Sequence, residues 1–268
     1  MTDDVMILVL GATGSTGRRV AEQLRAAGHA VRGASRSGQV TFDWSDPATW
    51  EPAVSGASAL YLMAPDGVGV DPEFVALAVK RGVERVVLLS SGAIEAMGDE
   101  RLLAAERTVR ESGAAWTILR PSWFNQNFDE GFFRPAIMAG EVLIPLGDVR
   151  QAFVDADDIA AVAVTALTED GHAGRTYEIT GPGSLAFGEA VEIIGRAIGR
   201  EVRYLGGDED YIAANGFSGE SIHAAKAFGA LRALGDQPIS DTVSDVTGRA
   251  PKSFETFAAQ AAAAGAWR

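Results

Sequence analysis

Gly11, Gly14 and Gly17 stand three residues apart in GATGSTGRRV at residues 11–20, between an apolar run at 6–10 and a helical pattern. That order predicts a strand, a tight turn and a helix N-terminus, the arrangement that seats a pyrophosphate. Phosphate oxygens need free N–H groups at the start of a helix, and only residues without a Cβ let the backbone come that close. Gly11 would form the tight turn, Gly14 the close approach, and Gly17 the packing of helix on strand. Thr13, Ser15 and Thr16, interleaved with these glycines, complete the expected phosphate-binding set.

A second signal, Ser35-Arg36-Ser37, lies about 20 residues further on, where a dinucleotide site meets the adenosine ribose. A carboxylate there accepts the 2′-hydroxyl of NAD, whereas an arginine accommodates the 2′-phosphate of NADP. This chain has no carboxylate at that point. A guanidinium binds phosphate through charge-assisted, often bidentate hydrogen bonds, and two hydroxyls can complete the site, so NADP(H) is the expected cofactor. Arg18 or Arg19 would assist from the first helix. The sequence leaves open that Arg36 is only a solvated loop residue.

Other chemistries find little support. His29, His172 and His223 are far apart and show no H-E-x-x-H spacing, so no metal site is expected. The chain has no cysteine, which removes thiolate catalysis and disulfides, and no G-x-S-x-G elbow for a hydrolase. Asp155, Asp157 and Asp158 form a carboxylate cluster, but they precede a helical pattern at 159–167, where capping and dipole complementation account for them.

The elements that must position these residues are legible as an alternation. Apolar strand patterns recur at 6–10, 30–34, 40–42, 59–63, 85–89 and 116–119, with helical patterns at 18–27, 47–54, 72–81 and 100–112 that each stop at a glycine. Such alternation predicts an α/β fold, a Rossmann-type doubly wound parallel sheet. Beyond Pro121 the pattern becomes irregular. A helix near 132–138, a strand near 142–144, a strand at 176–179, a helix at 187–198 and a strand at 202–204 precede a mostly helical C-terminus ending in a helix at 253–264. We expect a single domain over residues 1–268. Its nucleotide-binding core occupies about 1–155, and the remainder is mainly a small, mostly helical substrate lobe with elements returning to the core.

Composition narrows the class. With 268 residues the chain can bury a full core, and its formal charge of −13 opposes general nucleic-acid binding. No apolar run approaches the roughly 18 to 20 residues of a membrane span, and the acidic MTDD start does not read as a signal peptide. The expectation is a cytoplasmic protein with a small-molecule substrate, no nucleic-acid partner and no membrane association. Oligomeric state stays open.

With its G-x-x-G-x-x-G spacing, GATGSTGRRV resembles the atypical short-chain dehydrogenases, especially the NmrA-like group. FDWSDPATW at 42–50, ALYLMAPDG at 59–67, RVVLLSSGAI at 85–94, WTILRPSWFNQNF at 116–128 and YEITGPGSLAFGEAVEIIGRAIGREVRY at 177–204 are similar to the subgroup related to the festuclavine and agroclavine dehydrogenases of ergot-alkaloid chemistry. The segment GRAPKSFETFA extends the resemblance weakly towards the C-terminus.

The resemblance implies roles for further residues. Asp43 and Trp44 would line the adenine pocket, although Asp43 could equally cap the next helix. Ala64 and Pro65 would lie against the cofactor through their backbone, and the loop from Pro121 to Phe128 would pass beside the nicotinamide. Trp123, Phe124 and Phe128 would form an aromatic wall with cation–π attraction for an iminium, or else belong to the core. Asn125 and Asn127 would orient substrate or close turns. Ser90 and Ser91 would reach nicotinamide or substrate, or cap the strand end.

Ordinary short-chain dehydrogenases protonate their product with a tyrosine and a lysine four residues later. Tyr61, Tyr177, Tyr204 and Tyr211 are the only tyrosines, and none has that lysine. Reduction of an iminium, a quinone or a conjugated enone tolerates the gap, because hydride addition either neutralises a cation or leaves a delocalised charge. The expectation is an NADP(H)-dependent oxidoreductase acting on such a group in a small, aromatic metabolite. The alternatives are an NADP(H)-sensing regulator without turnover and a redox-neutral isomerase or cyclase. Whether Gly206, Gly207, Tyr211 and Phe217 form a lid over the site stays open.

Overall fold

A computed structural model describes residues 6–215 and 219–268, so Phe217 of the open lid question and the acidic start at 1–4 lie outside the described residues. The chain opens with β1 (Ile7–Leu10), α1 (Ser15–Ala26), β2 (Val31–Ser35) and β3 (Val40–Thr41). It continues through α2 (Trp50–Val54), β4 (Ala59–Leu62), α3 (Pro72–Lys80), β5 (Arg85–Leu89), α4 (Ile94–Met97), α5 (Glu100–Arg110) and β6 (Ala115–Pro121). After α6 (Arg134–Ala139) and the short strands β7 (Glu141–Leu143) and β8 (Arg150–Gln151), α7 (Ala156–Thr168) and β9 (Arg175–Ile179) return to the sheet. Then come β10 (Leu185–Ala186), α8 (Phe187–Ile198), β11 (Arg203–Leu205), α9 (Asp208–Asn215), α10 (Gly219–Leu234), α11 (Thr242–Thr247) and α12 (Phe254–Ala263).

Seven strands in the order β3-β2-β1-β4-β5-β6-β9 form one sheet, and every pairing in it is parallel. The period of two along each strand explains why both faces are dry. Leu8, Leu10, Leu60, Leu62, Leu88 and Ile118 meet α2, α3 and α5, while Ile7, Val9, Tyr61, Val87 and Leu119 meet α1 and α7. Each fully buried Leu, Ile or Val contributes on the order of 1.5–3 kcal/mol relative to exposure. The doubly wound sheet is therefore as the sequence predicts, and the four expected stop glycines, Gly28, Gly56, Gly82 and Gly113, all adopt the left-handed conformation.

Boundaries shift for local reasons. Helix α1 begins at Ser15, not 18, because Gly14 is its N-cap. The helix expected at 47–54 starts as a 3-10 turn at Pro47–Thr49, capped by Asp46. Helix α7 starts at Ala156, not 159, because the Asp155 carboxylate accepts the Asp157 N–H and sets the first turn.

A second core lies beyond β6. Phe128, Phe133, Phe153, Phe187 and Phe254 pack into an aromatic cluster with side chains of α6, α8 and α12. The pair β7–β11 is parallel and the pair β8–β10 antiparallel. No helix among the described residues is long and apolar enough to cross a membrane.

Candidate functional site

The N-terminus of α1 differs from those of α3, α5 and α7, which start at the same edge of the sheet. Helices α3, α5 and α7 begin with Asp71, Asp99 and Asp155, whose carboxylates accept first-turn N–H groups. Helix α1 begins with Gly14, no side chain caps it, and its first turn carries no acid. Among the described residues no side chain accepts its leading N–H groups.

The three glycines have separable tasks. Gly11 sits at φ +64°, and a Cβ there would stand 2.5 Å from Met63 Sδ; a Cβ on Gly17 would stand 2.2 Å from the Gly11 carbonyl oxygen. A Cβ on exposed Gly14 would meet only the Gly11 oxygen, at 3.3 Å. Gly11 and Gly17 are thus required by the protein's own packing, whereas Gly14 keeps open the approach from solvent. An uncapped helix start over a Cβ-free shelf fits a pyrophosphate. Thr13 is exposed on this shelf, and Thr16 is buried above the Tyr61 hydroxyl, whose pKa burial raises strongly.

Arg18 and Arg19 are committed elsewhere. Both bond to the Glu130 carboxylate, Arg19 Nη2 at 2.8 Å, and the Ser15 hydroxyl donates to Glu130 at 3.1 Å. Arg19 Nε also reaches Asp157 at 2.9 Å. The sequence offered these arginines to a ribose phosphate, but nearby carboxylates neutralise them. Although burial alone would raise the Glu130 pKa, Arg19 and Arg18 hold it down to about 2; burial and the neighbouring Glu130 push Asp129 up to about 6.

At the end of β2, Ser35 is buried and its hydroxyl has no hydrogen-bond partner, while Arg36 and Ser37 are exposed. Arg36 forms no ion pair among the described residues. Asp43 accepts from both the N–H (2.9 Å) and the hydroxyl (2.7 Å) of Ser45, and these bonds, with Arg36 adding, hold its carboxyl below the ordinary range. Asp43 thus closes its own turn and does not cap the next helix. Trp44 packs edge-on against Phe42 and Phe74 at 5.0 and 5.2 Å and is half-buried. Ala64 and Pro65 follow β4, whose end lies against Gly11 through Met63. The residues expected to hold a dinucleotide therefore follow the carboxyl edge of the sheet in the spatial order β3, β2, β1, β4.

That track leads to a cavity of about 720 Å³ at the carboxyl ends of β5, β6 and β9. Ser91, Pro121, Trp123, Phe124 and Asn127 line it, as do Asp66, Glu95, Arg120 and Glu178. Trp123 is fixed by its indole N–H, which donates to Gln151 at 3.1 Å. Three candidates lie off the cavity wall. Phe128 is fully buried in the second core, because the 3-10 turn Asn125–Asn127 reverses the chain between Phe124 and Phe128. Asn125 is fully buried, with both amide heteroatoms unpartnered. Ser90 donates to Glu106 Oε1 at 2.7 Å and so turns away from the cavity.

Glu106 escapes a sequence reading. It is fully buried and bonds Arg120 through Nε and Nη2, each at 2.8 Å, and Arg110 at 2.8 Å. Burial alone would raise its pKa, but the bonds from Arg120 and Ser90 outweigh this and hold it below the ordinary range. Only the Glu106–Arg110 spacing of four residues hints at the cluster.

The acidic triplet at α7 acts as a clamp. Lys252 Nζ bonds Asp155 at 3.0 Å and Asp157 at 2.9 Å, and its backbone N–H bonds Asp158 at 2.7 Å. This docks the GRAPKSFETFA segment onto the core. Gln126 joins the same knot, donating to Asp155 and accepting the Ala156 N–H, so the loop after β6 is held from beneath.

Comparisons with known proteins agree with this geometry. A family model described as NAD(P)H-binding matches residues 11–170. The oxidoreductase YesF of Bacillus subtilis is 36% identical over 275 residues, covering 96% of this chain and 95% of its own. Agroclavine dehydrogenase of Claviceps fusiformis is 30% identical over 275 residues, covering 94% and 95%. Among solved structures, the NADPH-dependent quinone oxidoreductase of Escherichia coli complexed with NADPH superposes with a TM-score of 0.73 at 22% identity, covering 95% of this chain and 99% of that one.

Proposed function

Since the chain belongs to the NAD(P)H-binding family, we propose that it is an NADP(H)-dependent oxidoreductase reducing an iminium, a quinone or a conjugated enone in a small, aromatic metabolite. One observation carries this reading. The residues expected to hold a dinucleotide lie along the carboxyl edge of the sheet and end beside a cavity of about 720 Å³ lined by Trp123 and Phe124, a volume that suits a nicotinamide ring with a fused-ring acceptor. A regulator that only senses the dinucleotide has no need of such a chamber.

When bound, a reduced nicotinamide supplies hydride. This chain's residues bind and orient. The first-turn N–H groups from Ser15 and Thr16, approached over Thr13 and Gly14, hold the pyrophosphate. Ser35, Arg36 and Ser37 hold the 2′-phosphate, with the buried Ser35 hydroxyl gaining the partner it lacks. Asp43 and Trp44 flank the adenine, and Ala64, Pro65 and Pro121 line the path to the cavity. Ser91 and Asn127 offer hydrogen bonds to substrate, while Trp123 and Phe124 exclude water and set the ring plane.

The test follows nicotinamide absorbance on mixing purified protein with NADPH, and separately NADH, against cyclic iminium ions, quinones and enones. Turnover favouring NADPH is expected. Tight NADPH binding without oxidation by any acceptor would overturn the enzyme reading in favour of a sensor or a redox-neutral catalyst.

A further inference from the structure

We propose that Glu178 is the proton donor of the cavity, serving acceptors whose reduction leaves charge on oxygen, a quinone or a conjugated enone. The inference rests on the oxidoreductase reading above and narrows its substrate class.

The placement follows from strand register. Arg120 on β6 and Glu178 on β9 are paired residues in neighbouring parallel strands. Their neighbours Leu119 and Ile179 point to the α1 and α7 face, so Arg120 and Glu178 point to the opposite face, at the carboxyl edge where the cavity opens. Glu178 Oε2 comes within 3.6 Å of where a Cβ on Gly92 would stand, so its carboxyl reaches over the end of β6 towards that of β5. The side chain is 56% exposed, which leaves it a route to solvent protons.

The carboxylates around it are differently employed. Glu106, on α5, is sealed in the core and bound to two arginines. Glu95, on α4, takes an Arg120 N–H at 2.7 Å. Glu178 stands 3.6 Å from Arg120 Nη1, close enough for charge attraction but beyond a good hydrogen bond. The charged groups facing it are therefore Arg120 from β6, Glu95 from α4 and Glu106 from α5. Partial loss of water, with Glu95 and Glu106 adding, raises its pKa above the ordinary glutamate value against the pull of Arg120. Among the described residues no tyrosine lines the cavity to compete for the role: Tyr61 is buried in β4, Tyr177 bonds His172, Tyr204 bonds the Ile144 and Gly147 carbonyls, and Tyr211 packs edge-on against Phe228.

The step balances. Hydride from a reduced nicotinamide forms a C–H bond on the acceptor, and the displaced π pair settles on the carbonyl oxygen. Glu178 breaks its O–H bond and gives the proton to that oxygen. The carboxylate left behind pairs with Arg120 until solvent reprotonates it.

The test compares the full-length protein with Glu178→Gln and Glu178→Asp, using NADPH and a benzoquinone. In the wild type, kcat/KM should fall as pH rises through the Glu178 pKa. Glu178→Gln should lose that limb and about a hundredfold in kcat/KM, with NADPH affinity retained, and Glu178→Asp should keep the limb at a reduced rate. Carbon-13 NMR of labelled glutamate side chains supplies a readout independent of turnover. One resonance, absent in Glu178→Gln, should titrate at the pH of the kinetic limb, above the ordinary glutamate range. An active wild type whose Glu178→Gln variant matches its rate and profile overturns the proposal alone, as does a Glu178 resonance titrating in the ordinary range. A wild type inactive with every acceptor overturns the oxidoreductase reading, and this proposal with it.

Discussion

Arg120 grips Glu106 through two parallel hydrogen bonds, Nε to Oε1 and Nη2 to Oε2, each 2.8 Å long, so a strand-end cation on the cavity wall is anchored by a carboxylate with no exposure to water. A fork-to-fork pair of this kind is rigid as well as strong. It fixes the face that Arg120 presents to Glu178 and Glu95.

Replacing Glu106 should therefore be costly. Glu106→Gln leaves Arg120 and the partly exposed Arg110 without their shared buried counter-charge, and because Arg120 keeps Glu95 and Glu178 the loss is about 2–3 kcal/mol. Because the Glu106 carboxyl is held below its ordinary value when folded, its contribution is complete above the unfolded glutamate pKa and declines as pH falls below it. Urea unfolding should show a large gap between variant and wild type at neutral pH that narrows in acid. A variant within about 1 kcal/mol at neutral pH contradicts this account.

Two glycines of the turn make opposite predictions. At Gly17 an added Cβ would overlap the Gly11 carbonyl at 2.2 Å, and backbone on both sides cannot yield. Gly17→Ala should lose about 3 kcal/mol or more, or fail to fold. Gly14 has φ −86° and ψ 177°, which alanine adopts freely, with a contact of 3.3 Å. Gly14→Ala should fold with a stability change below about 1 kcal/mol, yet bind NADPH at least about tenfold more weakly, by fluorescence titration, because its methyl stands where the phosphate must approach. Equal binding by Gly14→Ala and wild type would show that the phosphate does not cross this residue.

These contrasts mark what a sequence can reveal. The glycine turn, the parallel sheet and its alternating burial are local patterns, because each strand's period of two and each helix's stop are written within a dozen residues. The loop after β6 is different. Phe124 and Phe128 are four residues apart and equally aromatic, but the Asn125–Asn127 turn sends one to the cavity and the other to the second core. What fixes the turn is Gln126 bonding Asp155 and Ala156, roughly thirty residues away. Glu106, Arg120 and Glu178 likewise meet only because α5, β6 and β9 pack together. Arg18 and Arg19 read as phosphate ligands until Glu130, more than a hundred residues distant, is seen to hold them.

Adjacent carboxylates Asp129 and Glu130 should leave opposite marks on stability against pH. Glu130, held from 4.5 down to about 2, stabilises the fold fully above about pH 4.5 and progressively less as pH falls towards 2. Full conversion gives about 3 kcal/mol, and screening at this partly open site reduces it to about 1–2 kcal/mol. Asp129, raised from 3.8 to about 6, favours the folded state when protonated, so it penalises stability increasingly between about pH 4 and 6. Glu130→Gln should weaken the protein at pH 7 and flatten its acid limb, whereas Asp129→Asn should strengthen it at pH 7 and match wild type near pH 3. Denaturant midpoints at pH 3, 5 and 7 distinguish these outcomes.

Cofactor choice should turn on Arg36. Arg18 and Arg19 are engaged by Glu130, and Arg36, exposed beside the orphan Ser35 hydroxyl and without an ion pair among the described residues, is placed to meet the proposed 2′-phosphate. A charged hydrogen-bond pair of this kind contributes about 1.5–3 kcal/mol, or roughly ten- to a hundredfold in affinity. Arg36→Ala should weaken NADPH binding by that factor while leaving NADH binding nearly unchanged, as read from nicotinamide fluorescence, and added salt should weaken NADPH binding more in the wild type than in the variant. Equal losses for both nucleotides would mean that Arg36 supports the loop and not the phosphate, and the preference for NADP(H) would then have to come from another residue of the β2 edge.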